Sequence, residues 1–507
     1  MSKKVRVRFA PSPTGPLHIG GVRTALFNYL FALGQKGDFI LRIEDTDQTR
    51  FVPGAEEYIM ESLKLCGLHY TEGPDVGGPF APYRQSERKA IYGPYADALI
   101  NSGNAYYAFD EPEALDKLRK QYESEGKTFQ YDAVTRQHMH NSLAISPAET
   151  SRLIKSGAHY VIRFRMPENG EVKANDLIRG EVTFHTNLLD DKVLVKADGL
   201  PTYHLAHLVD DYLMKITHVI RGEEWLPSFP LHVLLYRAFG WEDVMPQFAH
   251  LPLILKPGGQ GKLSKRDGDK LGFPVFPLQW TDPFSGEVSA GYREAGYFPE
   301  AMINMLAFLG WNPGTEQELF SKEQLAEVFS LDRVGKSGSR FDPEKARWYN
   351  QQYLKNKSDE ELAALCMPFL EKRGFRKEAV YVAKIVGLVK ERMIFPQDLP
   401  EQALYFFDSP GHYDPQMQKK VWKEDTPAIM MQVKDILQNK TDFSSGPLEA
   451  AVKQFVEGKG LGIGKVLAPL RLLIVGSGMG PHLFDILETI GREETMMRIE
   501  IGLEKLR

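Results

Sequence analysis

Residues 13–21 combine a histidine with several glycines and prolines, a composition that suits nucleotide chemistry. They join a β-rich run at 5–10 to a pattern at 21–33 in which apolar residues recur at helical spacing. At such a junction the helix N-terminus offers free N–H groups and a positive potential to phosphates. His18 adds a donor that can follow charge developing on phosphate oxygens. The segment predicts a nucleotide site, and the alternative is a turn whose histidine caps a helix.

Residues 256–266 form a second candidate, a basic loop in which two lysines and an arginine follow three glycines. Cationic side chains on a flexible loop suit the stabilisation of a triphosphate as charge builds on the departing pyrophosphate. The alternative is a run of solvated lysines. A Walker phosphate loop is excluded, because Ser330 stands where that motif requires its first glycine before Gly335-Lys336-Ser337.

Alternating strands and helices must position these segments. The run at 5–10 reads as a strand and the run at 21–33 as a helix. A second strand follows at 39–45, and a second helix starts near Pro53, where proline is favourable, and stops at Gly67. This order is typical of the opening of a parallel nucleotide-binding sheet.

The pattern of predicted secondary structure changes twice after this opening. Residues 103–190 mix charged helical pieces with β-rich segments, which indicates an inserted α/β module. Parallel-sheet texture resumes at 192–225, and after about 340 the chain reads as helical to its end. The 507 residues are too many for one compact core, so several domains are expected.

Composition indicates an ordinary globular protein, with 43% hydrophobic and 25% charged residues. The net charge of -5 gives no overall signal for nucleic acid, although a local basic groove can still bind it. Cys66 and Cys366 are the only cysteines and form no disulfide framework, which favours a reducing, cytoplasmic compartment. Because no signal peptide or long apolar run is visible, we expect no membrane span.

Two short motifs together resemble the signatures of class I aminoacyl-tRNA synthetases. His18-Ile19-Gly20-Gly21 is similar to the "HIGH" box, and Lys262-Leu263-Ser264-Lys265-Arg266 is similar to the "KMSKS" box. Five ordered segments resemble glutamyl-tRNA synthetases of bacterial type over essentially the whole chain: APSPTGPLHIGG, RIEDTDQTR, EGPDVGGPFAPYRQSER, DGLPTYHLAHLVDD and VIRGEEWL. Gly21 replaces the second histidine and Arg266 the final serine, which keeps positive charge near the phosphates.

The resemblance implies an α/β fold with a Rossmann-like catalytic domain, an inserted module and an all-helical anticodon-binding region. We assign the ranges as follows: catalytic domain at 1–102 and 191–255, acceptor-stem-binding module at 103–190, basic loop and stem-contact region at 256–340, and helical region at 341–507, with subdomains near 341–430 and 431–507.

The implied reaction activates L-glutamate with ATP and Mg²⁺ to glutamyl-adenylate and pyrophosphate. Glutamate then passes to the 3′ end of tRNA(Glu). Because the substrate carboxylate is itself the nucleophile, catalysis should consist of positioning and electrostatics. His18 and Lys265 are therefore the expected catalytic residues, in the sense that they stabilise the transition state.

The resemblance also implies binding residues. For ATP they are Pro11, Thr14, Gly15, His18, Gly20, Gly21, Glu224, Lys262, Leu263, Ser264, Lys265 and Arg266. For glutamate they are Arg8, Ser12, Glu44, Tyr203, His207 and Arg221.

Within the glutamate set, Glu44 would take the ammonium, and Arg221 with Tyr203 would take the side-chain carboxylate, since a guanidinium matches both of its oxygens. The division of the two substrate carboxylates between Arg8 and Arg221 stays open. Each role has an alternative: Tyr203 as a sheet tyrosine, Glu44 as part of a solvated acidic turn, and Arg221 as a surface ion pair with Glu223 or Glu224.

In the helical region the resemblance places anticodon contacts at Arg392, Arg471 and Leu483, with Pro481 nearby; an arginine can fork onto a base or stack on it. We predict no structural zinc, because no cysteine lies between 67 and 365. A monomer is expected, and charging of tRNA(Gln) stays open.

Three other functions compete with this interpretation. A glutamylating enzyme of tRNA-nucleoside modification shares the catalytic half, and a nucleotidylyltransferase could use a similar histidine and lysine loop. Neither needs residues 340–507. A catalytically dead RNA-binding relative is disfavoured by the presence of His18, Glu44, Arg221 and Lys265.

Overall fold

The computed structural model describes residues 4–506 and separates into two compact units. The first unit contains the chain through Ala295 together with Pro299–Lys345. The second contains Gly296–Phe298 and the chain from Ala346 onward. The division lies a few residues beyond the domain boundary predicted at 340.

The first unit mixes strands and helices. Their bounds are β1 Arg6–Phe9, α1 Ile19–Gly34, β2 Asp38–Leu41, α2 Ala55–Leu65, α3 Lys89–Asn101, β3 Ala105–Ala108, α4 Pro112–Ser124, α5 Pro147–Lys155, β4 Val161–Phe164, β5 Glu171–Asp176, β6 Gly180–His185, β7 Val193–Val195, α6 Tyr203–Leu213, β8 His218–Gly222, α7 Phe229–Ala238, β9 Gln247–Leu251, β10 Ile254–Leu255, α8 Lys265–Leu271, β11 Trp280–Thr281, β12 Val288–Ser289, α9 Pro299–Phe308, α10 Lys322–Val328 and β13 Ser339–Arg340.

A mainly parallel sheet forms the centre of this unit. Strand β1 pairs in parallel with β2, and β8 pairs in parallel with β9. The Thr217 N–H, just before β8, donates to the Arg6 carbonyl at 2.9 Å and so links the two pairs. Strand β5 joins β9 in parallel, and β6 adds an antiparallel edge. Because carboxyl ends of parallel strands meet at one edge, loops after β1, β2, β8 and β9 can build one site.

The predicted opening of the sheet is confirmed. Helix α1 begins at Ile19, two residues before the predicted start, because the His18 side chain caps it by accepting from the Gly20 N–H. The helix buries Val22, Leu26 and Leu30, which lie four residues apart and face the core. The second strand ends at Leu41, earlier than predicted, and its continuation is reduced to an isolated bridge at Ile43.

The inserted module contains an antiparallel sheet whose strand order is β3-β4-β7. Strand β7 begins at Val193, outside the module range predicted to end at 190. The β5–β6 hairpin lies inside that range but pairs with β9 of the main sheet. Strand pairing therefore crosses the predicted boundary, because the partner of a strand is chosen by contacts far away in sequence.

The second unit is helical, and residues 346–506 contain no strand. This confirms the all-helical expectation. Its helices are α11 Pro343–Lys355, which starts just before the division, α12 Asp359–Lys372, α13 Ala379–Val389, α14 Leu399–Gln402, α15 Leu404–Phe407, α16 Pro415–Val421, α17 Thr426–Gln438, α18 Ser445–Gly458, α19 Gly464–Val475, α20 Leu483–Ile490 and α21 Arg492–Lys505.

Both cysteines are buried free thiols. Across residues 4–506, each helix is either too short or too polar to cross a membrane.

Candidate active site

Three adjoining cavities open at the carboxyl edge of the main sheet. The central cavity, of about 330 Å³, is lined by Arg8, Glu44, Tyr203 and Arg221 among others. The basic-loop cavity, of about 320 Å³, lies at the N-terminus of α1, and the outer cavity, of about 250 Å³, lies beyond Glu44 and Tyr203. Neighbouring cavities share lining residues.

A buried charge network lies beside the central cavity. The Arg42 guanidinium donates to Asp211 Oδ1 and to Glu44 Oε1, both at 2.8 Å. Arg8 donates to Asp211 Oδ1 from Nε at 3.1 Å and to Oδ2 from Nη2 at 3.3 Å. Burial alone would raise the pKa of Asp211, but Arg8 and Arg42 hold it well below its usual value. The positive charges of Arg8 and Arg42 are thus already compensated by protein carboxylates.

Helix α6 brings three side chains to this network. Tyr203, His207 and Asp211 are spaced four residues apart and lie on one face of the helix. The Tyr203 and His207 rings stack at 5.0 Å, and His207 Nδ1 lies 3.0 Å from Asp211 Oδ2. Burial lowers the pKa of His207 to about 3, so its imidazole is neutral. His207 does not line the central cavity and lies behind Tyr203, where it also contacts Arg8.

Arg221 differs from Arg8 in its partners. Nε donates to His250 Nε2 and Nη1 donates to the Tyr203 hydroxyl, both at 2.9 Å. Nη2 lies 3.2 Å from His232 Nδ1. None of the carboxylates in the described part of the chain pairs with it, and burial lowers its pKa. At 5% exposure it is no surface residue.

The surface ion pair considered for Arg221 is therefore ruled out. Glu223 pairs with Arg179 and accepts from the Leu253 N–H, and Glu224 pairs with Lys262 at 3.1 Å. Arg221 is a buried cation, bound by neutral acceptors, at the wall of a cavity. A negatively charged ligand is what such a cation lacks.

His18 caps helix α1 and also lines the basic-loop cavity. Its Nδ1 accepts from the Gly20 N–H at 3.1 Å, so the ring caps α1. Its Nε2 is buried without a partner among the described atoms, beside the basic-loop cavity that His18 lines. Burial, together with the nearby charge of Lys262, lowers the pKa of His18 to about 4. With Nδ1 as acceptor, the neutral ring carries its proton on Nε2 and can donate it to a ligand.

The end of the basic loop is helical, which the sequence analysis did not predict. Ser264 caps α8 in a capping box with Asp267, so Lys265 and Arg266 form the first turn of that helix. Lys262 and Leu263 line the basic-loop cavity. Lys265 instead forms an ion pair with Glu287 at 2.9 Å, outside the lining of the cavities described above. His18 and Lys262 are thus together, and Lys265 is held by the hairpin β11–β12.

The other predicted binding residues also divide into those that line a cavity and those that do not. The lining of the central cavity includes Pro11, Ser12, Thr14, Gly21 and Glu224. Gly20 lines the basic-loop cavity. Gly15, Ser264 and Arg266 line none of the three cavities.

Several residues of the site escaped the sequence analysis: Arg42, Asp176, Asp211, His232 and His250. Two signals were available for part of this set. Arg42 precedes Glu44 by two positions, which places both on one side of an extended segment. Asp211 follows His207 by four positions on a helix. The other three residues are brought to Arg221 by strand pairing and helix packing, which leave no local pattern.

In the second unit, Arg392 and Arg471 converge on one loop. Arg392 donates to the Gly480 carbonyl and Arg471 to the Pro481 carbonyl, both at 2.9 Å. Among the described ion pairs, neither arginine has a carboxylate partner. Leu483 is only 3% exposed, so its side chain packs inside the unit. Leu483 thus has a packing role, and its predicted contact with the anticodon stays a prediction.

Within residues 4–506, no group of three or more His, Cys, Asp or Glu side chains could hold a metal ion. His138 and His140 lie close together in sequence, in and just after a short 3₁₀ turn.

Comparison with known proteins identifies relatives of both units. Residues 4–348 match the model of the class I tRNA synthetase (E and Q) catalytic domain, and residues 361–503 match an anticodon binding domain. The chain is 58% identical to glutamate–tRNA ligase of Flavobacterium johnsoniae and 56% identical to that of Phocaeicola vulgatus, over at least 99% of each chain.

Solved structures agree with these relatives. A glutamate tRNA ligase from Elizabethkingia meningosepticum, in complex with its amino acid, matches with a TM-score of 0.97 at 51% identity over all of both chains. Glutamate-tRNA synthetase from Elizabethkingia anophelis matches with a TM-score of 0.95, also at 51% identity, over 99% of this chain and all of that one.

Proposed function

The chain belongs to the glutamate–tRNA ligase family of class I tRNA synthetases, and on this premise we propose that the central cavity holds glutamate while the basic-loop cavity holds ATP. The protein joins glutamate to tRNA with ATP as the energy source. The contacts of Arg221, His18 and Lys265 support a distinct role for each of them in that reaction.

Arg221 would take the side-chain carboxylate of glutamate. The observation that carries this assignment is its buried charge, which is surrounded by the neutral acceptors His232, His250 and Tyr203. A carboxylate is the ligand that compensates such a charge, and its two oxygens suit a guanidinium. Arg8 would make the lesser contribution, because Asp211 already accepts from its Nε and Nη2. Glu44 has one oxygen on Arg42 and would receive the substrate ammonium.

The α-carboxylate would then point towards the basic-loop cavity, past the residues that line both cavities, which are Gly21, Thr24, Gly222 and Glu224. One of its oxygens attacks the α-phosphorus of ATP, the bond from that phosphorus to the β-phosphate oxygen breaks, and pyrophosphate leaves. His18 would donate its Nε2 proton in a hydrogen bond to a phosphate oxygen. The predicted Mg²⁺ would neutralise the phosphates when ATP binds.

Lys265 requires a movement before it can act. Its present partner, Glu287, is well exposed, and exposed ion pairs contribute only about 0–1 kcal/mol, so exchange of Glu287 for a triphosphate is inexpensive. Lys262 is already at the cavity and would bind ATP in the ground state. Lys265 would join it as charge develops on pyrophosphate.

The second unit would select tRNA(Glu) through Arg392 and Arg471. Both side chains are held at one loop by backbone carbonyls, and their charges are not compensated by described carboxylates. A glutamylating enzyme of tRNA-nucleoside modification would have no use for this unit. We further propose that the protein acts as a cytoplasmic monomer.

A charging assay tests the proposed function. Purified protein is incubated with ATP, tRNA pools and labelled amino acids, and labelled aminoacyl-tRNA is collected. We expect an ester of glutamate on tRNA(Glu), and little ATP–pyrophosphate exchange with glutamate until that tRNA is added. Esterification of another amino acid would contradict the proposal, and strong exchange without RNA would contradict the expected order of events.

A further inference from the structure

A chain of three buried side chains leads from the central cavity into the sheet. Arg221 of β8 and His250 of β9 are paired in register, and Asp176 ends the next strand, β5. Their exposures are 5%, 0% and 1%. Since the three strands are parallel neighbours, the side chains meet at the carboxyl edge, where the site lies.

Each hydrogen bond in this chain fixes the next. Asp176 Oδ1 accepts from the Ile178 and Arg179 backbone N–H groups, both at 2.9 Å. Its Oδ2 accepts from the His250 backbone N–H at 3.1 Å and lies 2.7 Å from His250 Nδ1. A carboxylate without a proton can only accept, so His250 carries its proton on Nδ1. Its Nε2 is then a lone pair, which accepts from Arg221 Nε at 2.9 Å.

The electrostatics agree with this assignment of protons. Burial alone would raise the pKa of Asp176, but hydrogen bonds from His250, Arg179 and Ile178 bring it below its usual value. Burial lowers the pKa of His250. Asp176 is thus charged and His250 neutral, so the residue in direct contact with Arg221 adds no negative charge of its own.

We propose that His250 and Asp176 are positioning and specificity-determining residues, which orient Arg221 through a neutral acceptor and so keep its charge available to the side-chain carboxylate of glutamate. This rests on the proposed placement of glutamate at Arg221. A carboxylate in place of His250 would compensate the guanidinium permanently. A donor in its place would push the guanidinium away. The neutral imidazole, held in one tautomer, does neither.

Asp176→Asn tests the proposal with a change of one atom. The new amide must keep its oxygen towards the Ile178 and Arg179 N–H groups, so its NH₂ faces His250. The ring must then accept at Nδ1 and carry its proton on Nε2, which opposes the Arg221 Nε–H. We expect kcat/KM for glutamate, measured with tRNA and saturating ATP, to fall about 10- to 100-fold, mainly through KM.

The glutamate-to-glutamine ratio of kcat/KM separates positioning from mere structural support. Because glutamine does not use the charge of Arg221, we expect its kcat/KM to change less than about threefold and the ratio to narrow at least about tenfold. A general loss of structure would lower both values by the same factor. An unchanged ratio in a folded Asp176→Asn protein, with unchanged KM for ATP, overturns the proposal.

A second pair of variants decides between the outcomes if Asp176→Asn does not fold. The side chain of His250→Gln can still offer an oxygen to Arg221, whereas His250→Leu has similar bulk and offers none. We expect the glutamate-to-glutamine ratio of kcat/KM in His250→Gln to stay within about threefold of that of the unmodified protein. In His250→Leu we expect the ratio to narrow at least about tenfold. Equal ratios in the two variants overturn the proposal.

Arg221→Gln in the same assay distinguishes this proposal from the one on which it rests. If Arg221→Gln leaves the ratio unchanged, the placement of glutamate at Arg221 fails, and the proposal for His250 fails with it. If Arg221→Gln erases the ratio while Asp176→Asn and His250→Leu preserve it, only the role of His250 and Asp176 is wrong.

Discussion

At the scale of single residues, the partners of a buried charge determine what that charge is free to do. Arg8 and Arg42 share Asp211, whereas Arg221 is bound by neutral acceptors. The resemblance nominated both Arg8 and Arg221 for the substrate carboxylates but could not separate them. The difference depends on Asp211, which a motif comparison does not connect to either arginine.

His18 yields a prediction about pH. Its pKa is lowered to about 4 by burial and by the charge of Lys262, against a usual value of about 6.5. The ring should therefore stay neutral from pH 8 down to pH 5, with Nε2 as a constant donor. An NMR titration of the His18 imidazole, assigned by comparison with His18→Gln, should show no inflection in that range. A midpoint near 6.5 would contradict a buried, uncharged ring.

Lys265 yields a prediction about the transition state. Lys265→Ala should lower the rate of glutamate activation at least about 100-fold while glutamate binding changes little, because the charge is needed only as pyrophosphate departs. Glu287→Gln should not slow activation, since it only releases Lys265. Lys270 is an exposed lysine of the same helix, so Lys270→Ala is the matched control and should leave the rate of glutamate activation nearly unchanged. If only the KM for glutamate rises, Lys265 has been misassigned.

At the scale of elements, local signals predicted the opening of the sheet and the helix that His18 caps. Apolar spacing and the Gly/Pro turn are enough for β1, α1 and β2. Local signals do not predict which strands pair. Strand β7 pairs with the module, and the β5–β6 hairpin pairs with β9, so both pairings cross the predicted boundary at 190. Sequence spacing contains no record of which strand lies beside which. For this reason Asp176 and His250 could not be predicted next to Arg221.

Helix α6 docks on the sheet through a charge, and this predicts a cost in stability. Asp211→Asn would leave Arg8 and Arg42 buried with reduced compensation, and we expect a loss of about 3–5 kcal/mol in the free energy of unfolding. The folded-state pKa of Asp211 is depressed, so its contribution is present above the unfolded value of about 3.9 and is lost as pH falls below it. Urea unfolding at pH 7 measures the loss. An effect as small as that of the exposed control Asp198→Asn would show that Asp211 does not hold α6.

At the scale of the whole molecule, we propose that the first unit carries out the chemistry and that the second unit selects the tRNA. The sheet edge of the first unit contains the cavities, and the second unit contains the paired arginines. Phosphate contacts provide affinity for RNA, whereas base contacts provide choice. Composition alone gave no sign of this division, because the net charge of the chain is negative.

A fragment that ends near residue 345 tests this division. It should keep both small-molecule cavities and bind ATP and glutamate, yet charge tRNA weakly and with less preference for tRNA(Glu). The control is the full chain with Arg392→Gln and Arg471→Gln. It should lose the preference for tRNA(Glu) although the helical unit is still present. Equal selectivity of the fragment and the intact protein would show that the helical unit has another role.

The amino-acid preference of Arg221→Gln, measured with tRNA present, tests whether Arg221 selects glutamate. In the intact site glutamine would place an NH₂ against a buried cation and leave its charge uncompensated. That costs several kcal/mol, enough for roughly 10²- to 10⁴-fold discrimination. We predict that Arg221→Gln loses most of its activity with glutamate and that the preference over glutamine narrows or disappears. Arg221→Lys should also lose much of its activity, because a point charge cannot reproduce the two-pronged contact. An unchanged preference for glutamate in Arg221→Gln would contradict the account.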